Sequence, residues 1–168
     1  MYIDYLTFTV GQLYFGIPSA GVLEINKNLE VTPVPGSAKF VKGLINLRGQ
    51  LVPAMNMHQY LGVEQSELIS QSISIILSVA GKLVSLQVDT VGDILPLHES
   101  TFESVPSNLS EASSKLILGG HKLSGKLLLV FDYKQIFPSD PQVNQVNQLN
   151  QPNQPNQPNQ PNQPLIAN

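Results

Sequence analysis

Residues 40–61 read FVKGLINLRGQLVPAMNMHQYL, and this run decides the fold. It contains Arg48, the only arginine in 168 residues, within Asn46-Leu47-Arg48-Gly49. Apolar residues flank it on both sides: Val41, Leu44, Ile45 and Leu47 before, Leu51, Val52 and Met55 after. Gly49 and Pro53 break a helical reading. The pattern predicts two strands, near Gly43–Leu47 and Gln50–Met55, meeting at a tight Arg-Gly-Gln corner. A stiff corner of this kind holds an arginine out to solvent, where its planar fork can grip a partner's carboxylate or carbonyl. The plainer reading is one more solvated charge. Met57 to Leu61 should close as a helical turn ended by Gly62.

Upstream, Tyr5 to Val10 alternates, with Leu6, Phe8 and Val10 on one face and Tyr5, Thr7 and Thr9 on the other. This is a half-buried strand. Gly11-Gln12 turns the chain, Leu13 to Ile17 returns as the second arm of a hairpin, and Pro18 stops it. Val22 to Ile25 is a short third strand. Val31 to Pro35 is extended, because Pro33 and Pro35 push their predecessors out of the helical region. Ser37 to Val41 is long enough for one helical turn.

Downstream, Glu64 to Gln71 is a polar connection. Ser72 to Val79 alternates again, with Ile73, Ile75, Leu77 and Val79 inward and Ser72, Ser74 and Ser78 outward. Ala80-Gly81 turns, Leu83 to Val88 pairs back, and Asp93-Ile94-Leu95 forms a strand that ends before Pro96. His98 to Ser114 is a polar surface excursion with room for a short helix. Lys115 to Gly119 is a short apolar strand, with Gly119-Gly120 at its end. KLLLVF, Lys126 to Phe131, reads as a buried strand, and Asp132 to Phe137 as a last helical turn.

Two halves emerge from this order. A shift of 69 lays Phe8-Thr9-Val10 on Leu77-Ser78-Val79, Gly11-Gln12 on Ala80-Gly81, and Glu24-Ile25 on Asp93-Ile94. A shift of 76 lays Gly43 on Gly119, Gly49 on Gly125, Leu51 on Leu127, Asn56 on Asp132 and Leu61 on Phe137. Val34-Pro35 answers to Val105-Pro106. The fold class expected is all-β: two similar barrels of about five strands, covering about residues 1–65 and 66–138 and sharing an apolar seam. Neither half is long enough to be comfortable alone. From Gln142 to Pro164 the chain repeats Asn-Gln with period three, carries no charge and offers almost nothing apolar. Residues 141–168 are therefore expected to be a disordered tail.

Composition narrows the function classes. Apolar residues make up 42% and charged residues 12%, about half the usual charged share. The surface must be unusually neutral, which suits docking into a larger assembly. A net charge of −3 without any basic cluster removes the electrostatic footprint of nucleic-acid binding. No cysteine is present, so disulfides, thiol catalysis and cysteine metal sites are excluded. The opening MYIDYLTFTVG lacks a basic start before an apolar run, and no run approaches the ~20 residues of a membrane span. A cytoplasmic protein without membrane insertion is expected.

Catalytic chemistry finds no foothold. His58, His98 and His121 lack a carboxylate or second histidine at metal-ligand spacing, and His58 and His121 are expected at the surface. There is no GxSxG elbow and no phosphate loop ending in Lys-Ser or Lys-Thr. Asp89 and Asp93 could be paired carboxylates on one strand face, but turn and solvent roles explain them better. The expectation is no enzyme, no metal and no cofactor. A small-ligand-binding barrel with a pocket at the seam is the alternative from another class, without residue support.

KGLINLRGQLVPAMNM, residues 42–57, resembles the signature of the CheW family, the adaptors of bacterial chemosensory arrays. FTVGQLYFGIPSAGVLEI resembles that family's opening hairpin and V-x-E-I strand, LVSLQVDTVGDIL its second-half V-D-x-V-x-D-I/V-L, and LLLVFDYKQIF its closing strand and helix. The resemblance covers about residues 3 to 138, within a CheW-like domain taken as 1–140. It implies two intertwined SH3-like five-stranded barrels with short helical turns. It also implies a non-catalytic scaffold of two-component chemotaxis signalling. Such a protein links the cytoplasmic tip of a methyl-accepting chemoreceptor to the regulatory domain of a CheA-type histidine kinase. Arg48 lies on the family's coupling arginine, within the motif residues Asn46 and Leu47. Glu24, Lys42 and Gly43 lie on positions near the same working surface. Val22 and Leu47 would supply apolar area there. The sequence departs from the pattern at Asn56, where the family often has an acidic residue, and in its Asn-Gln-Pro tail. The tail suggests an alternative output, an array controlling type IV pili.

Overall fold

The computed structural model describes residues 1–65, 71–105 and 107–136. Its elements are β1 (Tyr2–Val10), β2 (Leu13–Pro18), β3 (Val22–Lys27), β4 (Val41–Leu47), β5 (Gln50–Asn56), α1 (Met57–Leu61), β6 (Ile73–Val79), β7 (Lys82–Val88), β8 (Thr90–His98), β9 (Phe102–Glu103), α2 (Glu111–Ser114), β10 (Ile117–Leu123) and β11 (Lys126–Phe131). Single 3-10 turns lie at Ser19–Gly21, Glu99–Thr101 and Tyr133–Gln135. The tail from residue 141, Pro106, Phe137 and the middle of the 64–71 connection lie outside the described residues.

The strands form two sheets, β8-β1-β2-β11-β10-β9 and β3-β6-β7-β5-β4. The all-β class expected from the sequence holds, and the two units interlock. β1 to β5 of the first half correspond to β6, β7, β8, β10 and β11 of the second. Exchanging partners under that correspondence converts the order β8-β1-β2-β11-β10 into β3-β6-β7-β5-β4. Each sheet therefore takes its first hairpin from one half and its third strand and second hairpin from the other. The register obeys the same shifts. Leu6 pairs with Ile94, and moving each by 69 gives Ile75 and Ile25, which are also partners. Val41 pairs with Met55, and moving each by 76 gives Ile117 and Phe131, again partners. A bulge follows at the next step of both ladders.

The shared seam is the main core. Phe8, Phe15 and Ile17 meet Ile75, Leu77 and Leu86 across it, joined by Met55, Met57 and Phe131. Phe8 stacks on Phe15 at 5.4 Å between ring centroids, and Phe131 meets Phe15 edge-on at 6.3 Å. Each sheet also buries its second face over a small cluster. Tyr5, Leu128 and Val130 form one, and Ile45, Val52 and Ala54 the other. Two buried faces explain why strict alternation misassigns some residues. Tyr5, Thr7 and Ser74, expected to face outward, are all buried. Thr7 Oγ1 donates to the Asp93 carbonyl, and Ser74 Oγ accepts from Gln87 Nε2.

Other boundaries moved for local reasons. β8 runs on through Pro96 to His98, because β8 is an edge strand and Pro96 needs no outward N–H partner. Residues 37–41 hold no helix. Ser37 N–H bonds Val34 O and Val41 N–H bonds Ala38 O, two reverse turns in succession. Gly119 and Gly120 lie inside β10, not at its end. A Cβ on Gly119 would collide with the Glu103 carbonyl and the Phe102 ring. α1 and its Gly62 cap match expectation: Asn56 caps the start by accepting from Gln59 N–H, and Gly62 is left-handed with φ 67.

The corner between β3 and β4

The β4–β5 hairpin turns on Arg48 and Gly49, with φ of 50 and 84. Two positive φ values are those of the two-residue turn whose twist suits a hairpin. Glycine meets this freely and arginine does not. Asn46 offsets the strain, since its Oδ1 accepts the Gly49 N–H at 2.9 Å. The turn thus fixes where Arg48 begins.

Arg48 then reaches across to β3. Its Nη2 donates to Glu24 Oε2 at 2.6 Å, and Glu24 Oε1 accepts from Asn26 Nδ2 at 2.6 Å. β3 and β4 are the two outer strands of their sheet. The ion pair therefore ties opposite edges together, and the sheet curls far enough for them to meet. The Arg48 hydrogen bond is the main reason the Glu24 carboxyl sits below the usual carboxylate range, and Asn26 adds to it. Glu24 in turn raises the Arg48 guanidinium. The arginine side chain is 74% exposed and Glu24 25%. The sequence offered Arg48 to a partner's carboxylate, but a carboxylate of its own chain already holds Nη2.

Glu24 faces Arg48 along with Val22 and Asn26, so period two turns Leu23, Ile25 and Lys27 to the opposite face. Leu23 is 58% exposed and Ile25 42%. These two exposed apolar residues on the other face of β3 were not expected from the sequence, which pointed to Val22 and Leu47. Val22 packs on the main core and Leu47 on the small cluster around Ile45. The signal was present in the VLEINK alternation, whose phase is settled once Glu24 is known to meet Arg48.

Lys42 and Gly43 do not join this corner. Lys42 is exposed at the far end of β4, about 20 Å from Arg48 at strand rise. It lines a polar recess with Asn56, His58, Gln87 and Asp89. Gly43 is buried at φ 153, where a Cβ would collide with the Thr32 carbonyl. Thr32 lies on the outer edge of β4 and exchanges both backbone hydrogen bonds with Leu44 at 2.8 Å. That contact covers the edge and demands a glycine beside it.

The histidines also depart from expectation. His58 is 4% exposed and His121 1%. His58 Nε2 lies 2.7 Å from Asp89 Oδ1. Asp89 is thus an interior partner, not a solvent carboxylate. His121 Nδ1 meets Thr101 Oγ1 at 2.9 Å, between the rings of Tyr5 and Phe102. Its burial pushes the imidazole below its ordinary value. Among the described residues no His, Asp and Glu cluster could hold a metal, and no helix is long and apolar enough to cross a membrane.

Comparison with known proteins follows the same outline. A family model described as CheW-like domain matches residues 4–140. The chain is 28% identical over 137 residues to the chemotaxis protein CheW of Rhizobium meliloti, covering 82% of this chain and 88% of that protein. It is 29% identical over 133 residues to the chemotaxis protein CheW of Thermotoga maritima, covering 79% and 86%. It is 28% identical over 131 residues to the protein FrzA of Myxococcus xanthus, covering 73% and 76%. The crystal structure of the scaffolding protein TtCheW from Thermoanaerobacter tengcongensis superposes with a TM-score of 0.71 at 24% identity, covering 78% of this chain and 89% of that one, a likeness of fold.

Proposed function

From the premise that the chain belongs to the CheW-like domain family, we propose that it is a non-catalytic coupling adaptor of a chemosensory array. Its partners are the regulatory domain of a CheA-type histidine kinase and the cytoplasmic tip of a methyl-accepting receptor. It works in the cytoplasm, at receptor clusters.

The observation that carries this reading is the edge strand β3, which holds Arg48 through Glu24 on one face and leaves Leu23 and Ile25 exposed on the other. The edge strand thus carries a fixed charge pair on one face and exposed apolar residues on the other, on a surface poor in other charge. A helical receptor tip or a kinase strand edge can bury Leu23 and Ile25, while the ion pair sets the approach. Asn46 and Gly49 fix the turn from which Arg48 projects, so they position the patch. Gly43 lies outside it, packed against Thr32. Lys42 lies on a separate surface.

Reconstitution with a CheA-type kinase and receptor-bearing membranes tests the reading. Wild type should raise kinase activity, and Arg48→Glu should lose most of that effect while keeping the wild-type β-sheet spectrum. Equal activation by Arg48→Glu would overturn it.

A further inference from the structure

The least exposed acid–base contact among the described residues lies away from the Arg48 corner, where three separate segments meet. His58 stands on α1, Asp89 follows β7, and Gly11 forms the β1–β2 turn. His58 Nε2 is 2.7 Å from Asp89 Oδ1, and His58 Nδ1 is 3.0 Å from the Glu64 carbonyl oxygen. The second Asp89 oxygen accepts the Gly11 N–H at 2.7 Å. Asp89 N–H bonds Thr9 O at 3.0 Å, and Val63 N–H bonds His58 O at 2.8 Å.

Both ring nitrogens therefore face oxygen acceptors. A carbonyl oxygen cannot donate, and a carboxylate accepting from Gly11 is best left ionised. Only a ring protonated on both nitrogens satisfies both contacts. A neutral ring has one proton and must choose. It keeps the bond to the charged carboxylate, which is the stronger. Nδ1 then faces the Glu64 oxygen lone pair to lone pair.

We infer that His58 is a proton-dependent clip: its protonated ring pins Val63 and Glu64 against the β1–β2 turn, and loss of one proton releases that segment. The segment lines an apolar cleft together with Gly11, Gln12, Leu13 and Asp89. Val63 packs directly over Gly11, where a Cβ would lie 2.6 Å from Val63 Cγ1. The clip thus makes this cleft responsive to pH, tight with the proton present and loose without it. Few other charges of the described residues lie on the elements packed against it. β5 and the β1–β2 turn bring none, and β7 brings only Lys82 at its far end. Lys42 on β4 shares the recess, Glu64 belongs to the clipped segment, and Glu111 on α2 is paired with Lys115 at 3.7 Å.

Solution NMR of the full chain tests this directly. The His58 ring nitrogens, the Glu64 carbonyl carbon and the Val63 methyls are followed through the ring's titration. The Glu64 and Val63 signals should move with the midpoint of the ring, and the neutral ring should be the Nε2–H tautomer. A His58→Gln chain should lose the pH dependence at Val63. Glu64 and Val63 signals that stay still while the ring titrates would overturn the clip, as would a neutral Nδ1–H tautomer. Persistence of the Val63 titration in His58→Gln would do the same. The wild-type titration stands by itself should that variant not fold.

Discussion

Arg48 and Glu24 lie 24 residues apart, at opposite edges of one five-stranded sheet, and their side chains close to 2.6 Å. No strand pairing joins β3 to β4. The pair bridges an interval that the backbone leaves open, and two exposed apolar residues stand on the opposite face of β3. Two expectations concern this corner, and two concern other parts of the fold.

The Glu24 carboxyl reports the pairing. Its hydrogen bond from Arg48 holds it below the ordinary range, with Asn26 second. Arg48→Ala should move the Glu24 titration upward, and Asn26→Ala should move it less. A depressed carboxyl contributes stability at neutral pH that is lost as pH falls through its folded value. Side-chain carboxyl NMR checks both shifts. An unchanged Glu24 titration in Arg48→Ala would mean the pair does not persist in solution.

Leu23 and Ile25 should matter to partners and not to folding. Both are exposed, so Leu23→Ser and Ile25→Ser remove little buried area. The melting temperature should stay within a few degrees of wild type. Affinity for the kinase regulatory domain should fall by about tenfold or more, as for truncation of an apolar anchor. Calorimetry of binding beside thermal melts separates the two effects.

Two glycines of one hairpin should differ. Gly49 has positive φ but open space around its α-carbon. Gly49→Ala should cost about 1–2 kcal/mol, from backbone strain alone. Gly43→Ala adds a collision with the Thr32 carbonyl, which must shift with its bridge to Leu44. Its cost should exceed that of Gly49→Ala by a further ~1–3 kcal/mol of overpacking. Urea midpoints at fixed m-value read the difference.

His121 should make folding sensitive to acid. Burial keeps its ring neutral in the native protein to lower pH than in the unfolded chain. Below about pH 6.5 the unfolded chain binds the proton first, so stability falls as pH drops toward the folded value. Above that range the group contributes no slope. Chemical denaturation of wild type and His121→Gln between neutral and mildly acidic pH checks the sign, and the variant should show the shallower decline.

Local readings held where local chemistry decides. The Arg48-Gly49 turn, the Asn56-to-Gly62 helical turn and the KLLLVF strand follow from φ preference, capping and apolar runs. Readings failed where a distant element supplied the partner. Ser74 is buried because Gln87 meets it, β8 continues through Pro96 because it is the outer strand of its sheet among the described residues, and His58 is interior because Asp89 arrives from the end of β7.

The sequence by itself determined the all-β class, the two repeats with their shifts of 69 and 76, and the residues of the Arg48 turn. These depend on periodicity and on conformations open to single residues. Only the tertiary structure decided that each sheet is assembled across the two halves, that Glu24 receives Arg48, and that Leu23 and Ile25 are left outside. The hydrophobic pattern states which faces must be buried but not which strand covers them. That choice is made between residues far apart in the chain, through packing that the alternation of a single strand does not encode.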